Sequence, residues 1–128
     1  MVVAGIGFRR SVAADEIVAL VELALARASL ARDDLSRLAT ADALAETPAF
    51  REAAHRLNAT AIPVAAPALA AAAPRVRTQS ARSIAAHGVG SVAEAAALAA
   101  AGPHAYLILE RIASTSATCA LARPEIGS

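Results

Sequence analysis

Val2-Val3-Ala4-Gly5-Ile6-Gly7, continued by Phe8-Arg9-Arg10-Ser11 and then by the run Asp15 to Ala31, is the stretch whose reading decides the fold. Its first six residues are small or β-branched and uncharged, as a buried strand requires, and the glycines lead into a turn. Asp15 and Glu16 open a helix expected over Asp15–Ala31, where the positive end of the helix dipole favours acids. Ile17, Leu20, Val21, Ala24 and Ala28 recur at three- and four-residue spacing, and Val18 and Leu25 widen that stripe. A stripe of this width suits a helix lying on a sheet. Strand, glycine turn and helix together open an α/β unit.

The rest of the chain repeats the alternation. Leu35 to Thr40 is a second strand candidate, followed by the polar exit Thr40-Ala41-Asp42. Pro48 suits the first position of a helix running to about Leu57, with Thr47 as its cap and Asn58 as its stop. Ala61 to Ala65 is a third strand, which Pro63 confines to an edge or a short length. A short helix is expected at Pro67–Ala72, an exposed loop over Arg75–Ser80, and a helix over Ala81–His87 that Gly88 stops. Ser91-Val92-Ala93-Glu94 has capping-box spacing, and its helix ends at Gly102-Pro103. Tyr106 to Ile112 and Ala117 to Ala122 are the last strands, joined as a hairpin through Ala113-Ser114-Thr115-Ser116. The expected fold is a single α/β layered domain over residues 1–128. Its sheet is mixed and mostly parallel, flanked by helices and closed by a C-terminal β-hairpin.

Composition narrows the chemistry. The 128 residues are 57% hydrophobic, and alanine supplies 39 of them. All 12 basic residues are arginine, which excludes a Schiff-base lysine and a P-loop lysine. A net charge of +1 gives no general nucleic-acid footprint. One cysteine excludes an internal disulfide and a multi-cysteine zinc site, and no two histidines stand at i, i+4, so no metal site is expected. Cys119 reads as a small buried hydrophobe. No signal peptide or spanning helix is evident, since the apolar start is short and its charges follow it. A cytoplasmic chain with no membrane partner is expected.

Three polar segments are candidate sites. At the first, Gly5, Gly7, Arg9, Arg10 and Ser11 follow the first strand, where α/β sheets collect ligands and arginine forks suit carboxylates or phosphates. The plainer alternative is a glycine turn with two solvated arginines. At the second, Thr40 and Asp42 share that sheet edge if the strands are parallel neighbours. Asp42 is a catalytic candidate for orienting water or a hydroxyl, or else a turn residue bonding its own backbone. The third gathers Thr78, Ser80, Gly88, Gly90 and Ser91. There Ser80 and Ser91 also read as helix caps, and Glu94 as the return partner of Ser91. His87 reads as a surface residue at a helix end.

Val3-Ala4-Gly5-Ile6-Gly7-Phe8-Arg9-Arg10, Leu38-Ala39-Thr40-Ala41-Asp42, Gly88-Val89-Gly90-Ser91-Val92-Ala93-Glu94 and Thr118-Cys119-Ala120-Leu121-Ala122-Arg123 occur in an order that resembles the CobE/CbiG C-terminal family of cobalamin biosynthesis. The resemblance implies an α/β domain with a mixed central sheet and a role on the corrin pathway; no cofactor is expected. Two-domain members open the δ-lactone of a cobalt-precorrin and release a two-carbon aldehyde. This chain is similar to the free-standing form that accompanies the oxygen-dependent pathway. Phe8 stands where the family usually has cysteine, and Ala43-Leu44-Ala45 where a lysine is common. These departures shift the expectation from catalysis toward binding. The implied partner is a corrin or precorrin intermediate, its carboxylates held by Arg9 and Arg10 with Arg75 and Arg77. The alternatives are lactone hydrolysis, with Asp42 as the residue to test, or a scaffold for another corrin-pathway enzyme. A homodimer is compatible with all three.

Overall fold

A computed structural model describes residues 1–124. In chain order the elements are β1 (Val2–Phe8), α1 (Ala14–Arg27), β2 (Leu35–Ala41), α2 (Pro48–Arg56), β3 (Thr60–Val64), α3 (Ala66–Ala72), α4 (Ala81–His87), α5 (Val92–Ala101), β4 (Tyr106–Ala113) and β5 (Ala117–Arg123). The sheet order is β3-β2-β1-β5-β4. β1 pairs with β2, and β2 with β3, in parallel. β5 runs antiparallel to both β1 and β4, so only β5 points against the other four strands. The mixed, mostly parallel sheet and its C-terminal hairpin are as expected, and Pro63 does lie on an edge strand.

The two-residue period of β1 divides the core. Val2, Ala4 and Ile6 face α1 and α2, in a cluster with Ile17, Leu38, Phe50 and Leu121. Val3 faces the other side, with Ala39, Ala122 and the residues of α3 and α5. On that side β1 also presents Gly5 and Gly7. A Cβ on Gly5 would stand 1.9 Å from the Ala93 carbonyl oxygen and 2.6 Å from the Ala97 nitrogen. The backbone of α5 therefore rests directly on β1, and only small residues permit this. Every α5 residue from Val92 to Leu98 is buried.

Several element ends differ from expectation. α1 stops at Arg27, four residues early, because Ser29 turns into the left-handed region at φ 58°. Asn58 does the same after α2 at φ 54°, as its stop role predicts. Thr47 precedes α2 without capping it: its hydroxyl is buried and unbonded, and Pro48 at the first position starts the helix. The loop after Arg75 is anchored as well as exposed, with Val76 buried and Thr78 bonded inward. No single described helix is long and apolar enough to cross a membrane; α4 and α5 together reach that length and composition but bend by 60°.

Candidate functional site

β1 is flanked by β2 on one side and β5 on the other, so the chain's connections diverge from it in opposite directions. Crevices at such divergences, beyond the carboxyl ends of the strands, are where open α/β sheets bind ligands. The described residues form a cleft of about 440 Å³ there. Gly7, Phe8 and Arg9 enter it from β1, and Val92 from the start of α5. Ser80, Arg82, Ser83, Ala86 and His87 form the α4 wall. Arg111, Ser114, Thr115, Ser116 and Thr118 enter from β4, the hairpin turn and β5. The turn is fixed to β1 by the Arg9 amide, which donates to the Ser116 carbonyl at 3.0 Å.

Two carboxylates shape this cleft without lining it. Glu16, in the first turn of α1, accepts the Ser116 amide at 2.6 Å and the Ser114 hydroxyl. These donors hold its carboxyl below the usual value, led by the Ser114 hydroxyl and then the Ser116 amide. Glu94, in the first turn of α5, is fully buried. Its Oε1 accepts the Arg77 and Thr78 amides at 2.7 and 3.0 Å; its Oε2 accepts the Thr78 hydroxyl at 2.6 Å and the Arg111 amide at 2.9 Å. Burial alone would raise its pKa. The Arg111 amide, then the Thr78 hydroxyl and the Thr78 and Arg77 amides, outweigh that and lower it.

The expected capping box is thus half correct. Ser91 Oγ accepts the Glu94 amide at 3.1 Å, but the Glu94 carboxylate turns away from Ser91 to join the 77–78 segment and β4 to α5. Arg111 lies where β4 shifts register against β5, between Leu109 and Ile112. A bulge of this kind releases an amide from the ladder, and Glu94 takes it.

The sequence candidates separate into three groups. Gly7, Arg9 and Ser80 meet in the cleft, so the first and third polar segments do converge. Gly5, Thr40, Thr78, Gly90 and Ser91 are held in packing: Thr40 donates to the Ile6 carbonyl at 2.7 Å, and a Cβ on Gly90 would strike Gln79. Arg10, Ser11, Asp42 and Gly88 are exposed outside the cleft. Arg10 reaches the Ala43 carbonyl, and Gly88 ends α4 at φ 75°. Arg75 bonds the Ala105 carbonyl and Arg77 pairs with Glu110, so neither joins Arg9. Arg82, Ser83, Arg111 and the hairpin-turn hydroxyls were not anticipated as site residues. The only advance signal was the hydroxyl run Ser114-Thr115-Ser116. Cys119 is buried in β5, and desolvation pushes its thiol up to about 12, in keeping with an unreactive core residue. Among the described residues no cluster of three or more His, Cys, Asp or Glu could hold a metal ion.

The family model described as Cobalamin synthesis G C-terminus matches residues 2–122. The chain belongs to the CobE/CbiG C-terminal family. It is a protein of cobalamin biosynthesis. Protein CobE from a Sinorhizobium species is 43% identical over 122 residues, which cover 95% of this chain and 79% of the relative. The crystal structure of a CobE from the cobalamin biosynthetic pathway superposes with a TM-score of 0.91 at 34% identity, covering 98% of this chain and 91% of that one. Cobalamin biosynthesis protein chiG from Agrobacterium tumefaciens gives 0.77 at 35%, covering 98% and 99%. A cobalamin biosynthesis protein G homolog from Sulfolobus solfataricus gives 0.73 at 26%; the match covers 97% of this chain but 37% of that one. The family's fold therefore occurs both at about this length and within a much longer chain.

Proposed function

We propose that this member of the family binds a carboxylate-rich corrin or precorrin intermediate in the cleft beyond β1 and hands it on. The observation that carries the reading is the cleft's composition. It gathers Arg9, Arg82 and Arg111 with hydroxyls from α4 and the hairpin turn, over an apolar lining of Phe8, Ala86, Val92, Ala113 and Ala117. A tetrapyrrole intermediate is an apolar ring bearing acetate and propionate groups, and this mixture of surfaces complements it. Handing on is supported by size. A cleft of about 440 Å³ takes one edge of such a macrocycle, leaving the remainder open to a following enzyme.

The hydrolytic alternative loses its candidate residue, because Asp42 stands exposed at the start of a short helical turn and does not line the cleft. The test is direct. Purified protein mixed with a corrin polycarboxylic acid is expected to shift the visible bands of the pigment and to carry it through a gel-filtration column. An unshifted spectrum and pigment-free protein would overturn the reading.

A further inference from the structure

We infer that Glu94 is a positioning residue for the cleft: by accepting the Arg111 amide it fixes the bulge of β4 and so aims the Arg111 guanidinium at the ligand. The inference rests on the binding reading above and deepens it.

Three observations combine. First, Arg111 is the arginine that β4 contributes to the cleft. It sits where β4 slips register against β5, between Leu109 and Ile112. A bulge re-aims the side chains it carries. Among the described residues the Arg111 side chain makes no hydrogen bond or ion pair, so its direction follows from the backbone at the bulge, and that backbone is bonded to Glu94 at 2.9 Å. Second, the same carboxylate holds the facing wall. It accepts the Arg77 and Thr78 amides and the Thr78 hydroxyl. That segment runs directly into Ser80, which caps α4 and lines the cleft. One planar group of fixed size thus sets the separation of β4 from the lead into α4. Third, no cation neutralises this buried carboxylate. Among the described residues Glu94 forms no ion pair, and the Arg77 side chain turns to Glu110 instead. A buried negative charge beside the cleft disfavours an anionic ligand. What Glu94 contributes to holding a carboxylate is therefore its reach, not its charge.

Glu94→Gln separates these two properties. The side-chain amide has one acceptor oxygen and one NH₂ donor. An NH₂ in place of Oε1 would face two backbone amides, neither of which can accept. In place of Oε2 it would face the Thr78 hydroxyl, which can rotate to accept, and the Arg111 amide, which cannot. The second orientation loses one bond where the first loses two. The substitution therefore releases Arg111 and leaves the 77–78 segment held.

The experiment titrates the full chain and its variants near neutral pH with a dicyano-cobalt corrin heptacarboxylic acid, read from the visible bands. Arg111→Gln is expected to weaken binding several-fold. Glu94→Gln is expected to weaken it by nearly the same factor, although removing a negative charge would by itself tighten an anion. In the Arg111→Gln background, Glu94→Gln is expected to add less than about twofold, because the contact it supports is already gone. In the background of Arg9→Gln, which lies on β1, the two factors are expected to multiply. Ser91→Ala loosens the same turn of α5 without touching the carboxylate. It is expected to bind within about twofold of the parent, which separates positioning from lost stability. Glu94→Asp keeps the charge but falls one methylene short of the two segments. It is expected to weaken the acid as well, and it carries the test where Glu94→Gln does not fold. Unchanged or tighter binding by the folded Glu94 variants, or a Glu94 effect that multiplies with Arg111→Gln as it does with Arg9→Gln, overturns this inference and leaves the binding reading standing. Failure of the parent protein to bind the corrin overturns both.

Discussion

Glu94 is the residue on which most of the site's architecture converges. A buried carboxylate is costly unless its oxygens are bonded, and here four donors from two other segments bond it. Glu94→Gln keeps the shape but points an NH₂ group at amides or a hydroxyl that already donate. It is expected to lower the unfolding free energy by about 2–3 kcal/mol, the scale for a bond to a charged group left unsatisfied, measured by urea denaturation. The pH dependence follows from the sign of the shift. The folded Glu94 and Glu16 have lowered pKa values, so each contributes stability that is complete above the ordinary value of 4.5. That contribution is lost as pH falls from 4.5 through the lower folded value. The urea midpoint is expected to drop over this window in the parent protein and to drop less in Glu94→Gln. Gly5 is a second critical residue. Gly5→Ala would place a methyl group 1.9 Å from the Ala93 carbonyl oxygen, a backbone atom that cannot step aside. A loss of about 3 kcal/mol or more is expected, at the upper end for overpacked cores, seen as a lower melting temperature or insoluble protein.

At the level of elements, α4 and α5 are opposites. α5 is ten residues long, almost wholly buried and capped by Ser91. α4 is seven residues long, has no buried residue, and leaves Ile84 47% exposed. It is held by the Ser80 amide on the Gly90 carbonyl and by the Ser80 side-chain cap at 3.4 Å. Elements with few buried contacts open most easily. Amide hydrogen exchange in α4 is expected to be at least a hundredfold faster than in the core of α5, and to slow when a corrin acid fills the cleft that α4 walls. The caps are expected to differ in the same way. Ser91→Ala is expected to cost about 1 kcal/mol, the usual value for a lost cap, in global denaturation. Ser80→Ala is expected to leave global stability unchanged and to speed exchange within α4 alone. The helix positions were readable because glycine, proline and cap residues act locally: Gly88, Gly102-Pro103 and Ser91 end and begin helices where their chemistry requires. Thr47 misled because a cap needs a rotamer that reaches the helix amides, and its buried hydroxyl does not make that bond.

At the scale of the whole molecule, stability and binding rest on different residues. The core is shared between two faces of one sheet, and none of the cleft's arginines belongs to it. The double variant Arg9→Ala/Arg82→Ala is expected to melt within about 1 °C of the parent, since solvent-facing side chains without partners contribute little. It is also expected to lose most of its binding of a corrin acid, checked by spectroscopic titration. A variant that melts early would place these arginines in the fold instead.

The sequence by itself determined the alternation of strands and helices, the confinement of β3 to an edge or a short length, the buried inertness of Cys119 and the family. These depend on period, on local turn chemistry or on ordered short motifs, all carried by neighbours in the chain. The alanine excess, which first reads only as close packing, has a definite place: Ala93 and Ala97 of α5 lie against Gly5. Tertiary structure alone decided which polar groups share a cleft. Arg9, Arg82 and Arg111 are separated by long stretches of chain and meet because β1, α4 and β4 end around one crevice. It also decided that the Glu94 carboxylate leaves its own helix cap for three distant amides and a hydroxyl, since the Arg77 and Thr78 donors come from the segment ahead of α4 and the Arg111 amide from the bulge of β4 beside α5. A carboxylate takes whichever donors the fold presents to it, and spacing along the chain does not contain that information.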